Sequence, residues 1–139
     1  MNKHQKRYAM ARAKYQLAKD EASAYEQAFI IRENVRNKDG SVPSALWAMD
    51  EESEEYYDEL CKRLDSEEEY RALCDAESDA HRALVAAEES LIDYGLSIPM
   101  PESVRKTLSE HRQDWKVRER LIDLTFRLNT KTVRKGWGI

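Results

Sequence analysis

The stretch SALWAMDEESEEYYDELCKRLDSEEEYRALCDAESDAHRALVAAEESLIDY, residues 44–94, runs for its whole length without a Pro or a Gly. Stepping along it by threes and fours traces one seam through Leu46, Met49, Ser53, Tyr56, Leu60, Arg63, Glu67, Tyr70, Leu73, Glu77, Ala80, Leu84, Ala87, Leu91 and Tyr94. That period keeps a single face of a helix turned toward a partner helix. Ser44 is the expected N-cap, and Asp50, Glu51 and Glu52 follow where acid still favours the positive helix end. Gly95 stands where a left-handed C-cap is expected, with Pro99 and Pro101 just beyond. Inside the stretch, Ser66 and Glu69 have the spacing of a capping box. With no Pro or Gly to force a break, the reading favours one continuous helix, and Asp65-Ser66 marks where it would bend or break.

Residues 3–37 repeat the pattern on Tyr8, Ala11, Tyr15, Ala18, Ala22, Tyr25 and Phe29, so large and small side chains alternate along a seam able to interdigitate with a neighbour. Residues 37–43 form a polar turn with Gly40 and Pro43, short enough to make the first and central helices antiparallel neighbours. The third helix is expected over residues 102–129, with Val104, Leu108, Trp115, Arg118 and Ile122 on its seam. The tail, 130–139, is expected to be flexible. The fold class is therefore all-α, an elongated antiparallel helical bundle or coiled coil of three long helices forming one domain over residues 1–139.

If both outer helices fold back along the central one, they overlap around residues 66–80. In that register Glu77 meets Arg118, and an ion pair between them explains an acid on an otherwise apolar seam. His4 is expected close by. Charge supports the antiparallel arrangement. Residues 1–38 carry nine bases and four acids, residues 39–94 four and eighteen, and residues 95–139 ten and five. An acidic helix between two basic ones favours this pairing over its alternatives.

Charged residues make up 36% of the chain and the mean hydropathy is −0.83, with no apolar run of the ~20 residues a membrane span needs. The basic start lacks a signal-peptide core, so the cytoplasm is the expected compartment. Cys61 and Cys74 lie too far apart on one helix to bridge and read as structural thiols. Neither His81 nor His111 has the Glu-x-x-His spacing of a di-metal bundle. There is no phosphate-binding Gly loop, His-Glu-x-x-His motif or nucleophile elbow, so neither catalysis, a cofactor nor a metal is expected.

Two-helix arms would leave apolar surface exposed, notably at Trp47, Ile30 and Ile31 at one end and at Ile92 and Trp115 at the other. Surfaces of that kind mark partners. The leading expectation is a non-enzymatic scaffold or adaptor that binds another protein or itself as a homodimer, with Trp47, Trp115 and the Gly-flanked Trp137 as contacts. The alternative is a nucleic-acid-associated accessory protein using its basic ends, Lys3, Lys6 and Arg7 together with Arg134 and Lys135.

Overall fold

Where the helices stop decides the architecture. The computed structural model describes residues 1–33 and 53–138. Trp47, the Ser44 cap, the 37–43 turn and the helix limits expected near residues 37 and 44 lie outside the described residues. Among the described residues six helices follow in order: α1 Lys3–Glu33, α2 Glu54–Asp65, α3 Glu68–Ser97, α4 Glu102–Glu110, α5 Trp115–Phe126 and α6 Thr130–Lys135. There is no strand among the described residues, and α1 packs antiparallel to α3 as the seams predict.

The expected continuous central helix is broken at Ser66-Glu67. The capping-box spacing marks the right place, but Ser66 serves the helix before it. Ser66 is the C-cap of α2, with its N–H bonded to the Arg63 carbonyl at 3.2 Å and its hydroxyl donating to the same carbonyl at 2.6 Å. Local side-chain bonding of this kind competes with helix continuation, which is how a break arises without Pro or Gly. At the other end of α2, Ser53 is the N-cap and accepts from the Tyr56 N–H at 3.1 Å.

Gly95 is not a C-cap. Helix α3 continues to Ser97, and positive φ angles occur only at Gly136 and Gly138 among the described residues. Gly95 is instead a point of close approach. A Cβ there would lie 3.2 Å from Thr125 Cγ2 and 3.3 Å from its Cβ, and would overlap Thr125 Oγ1 outright. The carbonyls at the end of α3 are satisfied by distant side chains. Arg105 Nε donates to Leu96 O at 2.8 Å, and Trp137 Nε1 donates to Gly95 O at 2.9 Å.

The helix expected over 102–129 is two helices, separated by a turn at residues 111–114. His111 caps the end of α4 through its N–H to the Thr107 carbonyl. Its Nδ1 also pairs with Asp114 Oδ2 at 2.9 Å. The tail expected to be flexible carries α6, and the Trp137 N–H donates to Pro99 O at 3.1 Å. Gly136 makes that approach possible: its φ is +81°, and a Cβ would meet the Pro99 carbonyl.

The chain divides into two compact units. One comprises Met1–Lys14 and His81–Ile139. Its core is Tyr8, Ala11, Ala87, Leu91, Ile92, Leu96, Leu121 and Ile122, with Leu91 and Ile92 wholly buried. Ile92, expected on an exposed end, lies at the centre of this core because α5 covers it. Each such side chain contributes about 1.5–3 kcal/mol by leaving water. The other unit is Tyr15–Ala80. There Phe29, Tyr56, Leu60 and Leu64 form the core, bordered by Tyr25, Ile30 and Tyr70. The Tyr25 hydroxyl donates to Glu67 at 3.3 Å, and Arg32 pairs with the same carboxylate. Burial and a hydrogen bond with Cys74 push the Tyr70 hydroxyl well above its ordinary pKa. Cys61 and Cys74 are free, half-buried thiols.

Candidate functional site

Helices α4 and α5 leave part of their apolar residues incompletely buried, and these face a groove of the first unit. Val104 and Leu108 are one turn apart on α4, and Val117, Leu121 and Leu124 follow a four-three spacing on α5. Together with the ring of Trp137 they line an open groove of about 420 Å³. The only charged residues lining it are Lys116 and Arg120, one turn apart on α5. Both are exposed, and Arg120 has only a 4.0 Å contact with Asp123. Such a lining suits an apolar ligand face held between charged shoulders.

A second cavity, of about 620 Å³, shares Lys116 and Arg120 with the groove and has Tyr8, Trp115 and Phe126 as its aromatic walls. The Arg12 guanidinium sits 5.3 Å and 5.1 Å from the Tyr8 and Phe126 ring centres, stacked where cation–π attraction operates. Glu88, Glu119 and Asp123 offset its cations, so the lining is charge-mixed. Trp115 is 69% exposed, which leaves it free for the contact role the sequence suggests.

Arg118 does not pair with Glu77. Its partners are Glu89, Glu88 at 3.9 Å and Gln113 at 3.3 Å. Glu89 lies about three helical turns beyond Glu77, so the expected register fails. That register assumes one straight helix over residues 102–129, whereas the chain turns at 111–114 between α4 and α5. Arg112, within that turn, reaches Glu89 and Asp93 at 2.7 Å each, and Gln113 donates to Glu89 at 3.1 Å. His4 is likewise elsewhere than expected, stacked on Tyr94 at 5.0 Å and hydrogen-bonded to Ser90 at 2.9 Å.

Burial opposes ionisation of Glu89, but the bonds from Arg118 and Gln113 and the nearby Arg112 charge outweigh it and hold the carboxyl below its ordinary 4.5. A depressed folded-state pKa means that stability is fully present above 4.5 and is lost as pH falls through the lower folded value. Glu89→Gln is therefore expected to be less stable than wild type at pH 7. It should also show a shallower loss of denaturation midpoint below pH 4.5, as measured by urea unfolding across a pH series.

The two basic ends, far apart in sequence, are brought together. Asn2 caps α1 by accepting from the Gln5 N–H at 2.9 Å, and the Asn2 N–H donates to Gln5 Oε1 at 2.9 Å, a reciprocal capping box. Gln5 Nε2 then donates to the carbonyls of Thr125, Phe126 and Leu128 at 3.0–3.1 Å, where α5 ends. Lys3, Lys6 and Arg7 on α1 and Arg134 and Lys135 on α6 are all exposed in the same unit. The Asn2-x-x-Gln5 spacing was the available signal for this buried glutamine; its reach to α5 had none.

Among the described residues no group of His, Cys, Asp and Glu could hold a metal ion, and no helix is long and apolar enough to cross a membrane. No protein-family model matches the chain. No curated protein and no solved structure matches it either.

Proposed function

We propose that the chain is a cytoplasmic, non-enzymatic interaction protein, a scaffold or adaptor, whose α4–α5 groove receives a helix of a partner protein. The observation that carries this is the groove's lining: Val104, Leu108, Val117, Leu124 and the Trp137 ring, none of them fully buried, together with the core residue Leu121. Helices dock on such surfaces by setting one apolar stripe between two ridges. Trp115 extends the surface along α5. A second reading, nucleic-acid association through the basic ends, is favoured by the Gln5 clamp, which gathers Lys3, Lys6, Arg7, Arg134 and Lys135 onto one unit.

One set of variants separates the two. A displayed library of helical peptides selected on the wild-type chain should be enriched in apolar residues at three-four spacing, and Leu108→Asp/Leu124→Asp should abolish that enrichment while helicity is retained. A labelled oligonucleotide whose binding falls steeply with salt and weakens on Arg134→Ala/Lys135→Ala would favour the second reading. No enrichment on wild type defeats the first. Light scattering that finds a dimer dissociated by the groove variant makes a second copy the occupant.

A further inference from the structure

Resting on the reading of the groove as a helix-docking site, we infer that its partner is an acidic amphipathic helix of another protein. The inference comes from charge, which the apolar lining does not itself specify. The chain as a whole carries −4. Both charged residues on the groove are nevertheless cations, and neither is an acid.

The bias extends beyond the groove. The unit that holds it, residues 1–14 and 81–139, has sixteen bases against eight acids, a net +8, while residues 15–80 have seven against nineteen, a net −12. Most acids of the positive unit are already engaged. Glu88, Glu89 and Asp93 face Arg112 and Arg118, Glu102 pairs with Arg105, Asp114 with His111, and Asp123 with Arg127. Lys116 and Arg120 are engaged far less. The Lys116 Nζ lies 5.7 Å from the Trp115 ring centre, and Arg120 approaches Asp123 at 4.0 Å.

The spacing of the two cations adds specificity. They stand one turn apart, about 6 Å along α5. They would meet carboxylates placed one turn apart on a helix whose leucine-like stripe enters between Val104, Leu108, Val117 and Leu124. Like charge at those shoulders would repel a basic helix of the same apolar pattern, and complementarity of this kind governs partner choice and association rate more than raw affinity.

The test uses the full chain and three fluorescein-labelled synthetic peptides of about eighteen residues. One has a leucine stripe at three-four spacing with Glu at the flanks, one has the same stripe with Lys at the flanks, and one scrambles the acidic peptide's order. Fluorescence anisotropy should show the acidic peptide binding at least about tenfold more tightly than the other two, with that preference shrinking as salt is raised. Lys116→Glu/Arg120→Glu, a surface change that leaves the apolar lining intact, should reverse the preference toward the Lys-flanked peptide. Equal binding of the acidic and basic peptides overturns the acidic partner but leaves the groove reading standing. Equal binding of the scrambled peptide overturns it as diffuse attraction to a positive unit. Binding of none of the three, or binding that Leu108→Asp/Leu124→Asp leaves unchanged, overturns the groove reading as well.

Discussion

Gln5→Glu should be among the most damaging single-atom exchanges in this chain, costing on the order of 3 kcal/mol at pH 7. The glutamine is 3% exposed, and its amide nitrogen faces three carbonyl oxygens where α5 ends. Glutamate would preserve the capping box with Asn2, since a carboxylate is a good acceptor near a helix N-terminus. It would lose the donor, however, and set a negative charge against three carbonyl dipoles in a buried site. The variant's carboxyl should consequently titrate above the ordinary glutamate range. Its protonated form can donate again, so the destabilisation is present above that raised value and fades as pH falls through it. Urea unfolding of Gln5→Glu and Gln5→Leu over a pH series checks this, because Leu should show no such relief. A Gln5→Glu protein as stable as wild type at neutral pH would show that the amide does not hold α5.

The second large effect is expected at Gly95. Gly95→Ala drives a methyl group into Thr125 Oγ1, on a short, β-branched and fully buried side chain whose χ1 freedom is restricted. Overpacking of that kind costs about 1–3 kcal/mol. Thr125→Ala alone should cost little, because the hydroxyl it removes is buried without a hydrogen-bond partner. The double variant should then regain most of the loss, since the added methyl replaces what was removed. A coupling energy of about 1–2 kcal/mol in the double-mutant cycle is expected. Strict additivity of the two single changes would show that α3 and α5 are not in contact at this point.

The periodic elements of the fold were legible in the chain, and the interruptions were not. Tyr56, Leu60, Ala87 and Leu91 lie on the seam traced through residues 44–94, and all four are buried. Tyr8, Ala11, Ala22 and Phe29 are likewise the buried residues of α1's seam. The turn at 111–114 contains neither Pro nor Gly. Around it Arg112, Gln113 and Arg118 converge on Glu89, a tertiary arrangement that no local pattern announces. Missing it displaced Arg118 by about three turns and placed its partner at Glu77. The Gly95 signal was seen but assigned the commoner role of a helix stop, since nothing local distinguishes a C-cap glycine from one that admits a neighbouring helix. Of the candidate site, Val104, Leu108 and Trp115 are visible as seam residues, and Trp137 stands out as an aromatic between two glycines. That Trp137 closes one end of an apolar groove depends on the Pro99 and Gly95 carbonyls that receive it.

The clamp at Gln5 also bears on the order in which the chain acquires its structure during synthesis. The contact from Gln5 to the Leu128 carbonyl spans 123 residues, whereas the Arg32–Glu67 pair of the other unit spans 35. Closing short loops precedes closing long ones, so the acidic segment of residues 15–80 can fold while the remainder is still being made. The first two turns of α1, with Gln5 and Tyr8, must wait for α5 to emerge. The contact between Gln5 and the end of α5 is therefore expected to form after the core of residues 15–80.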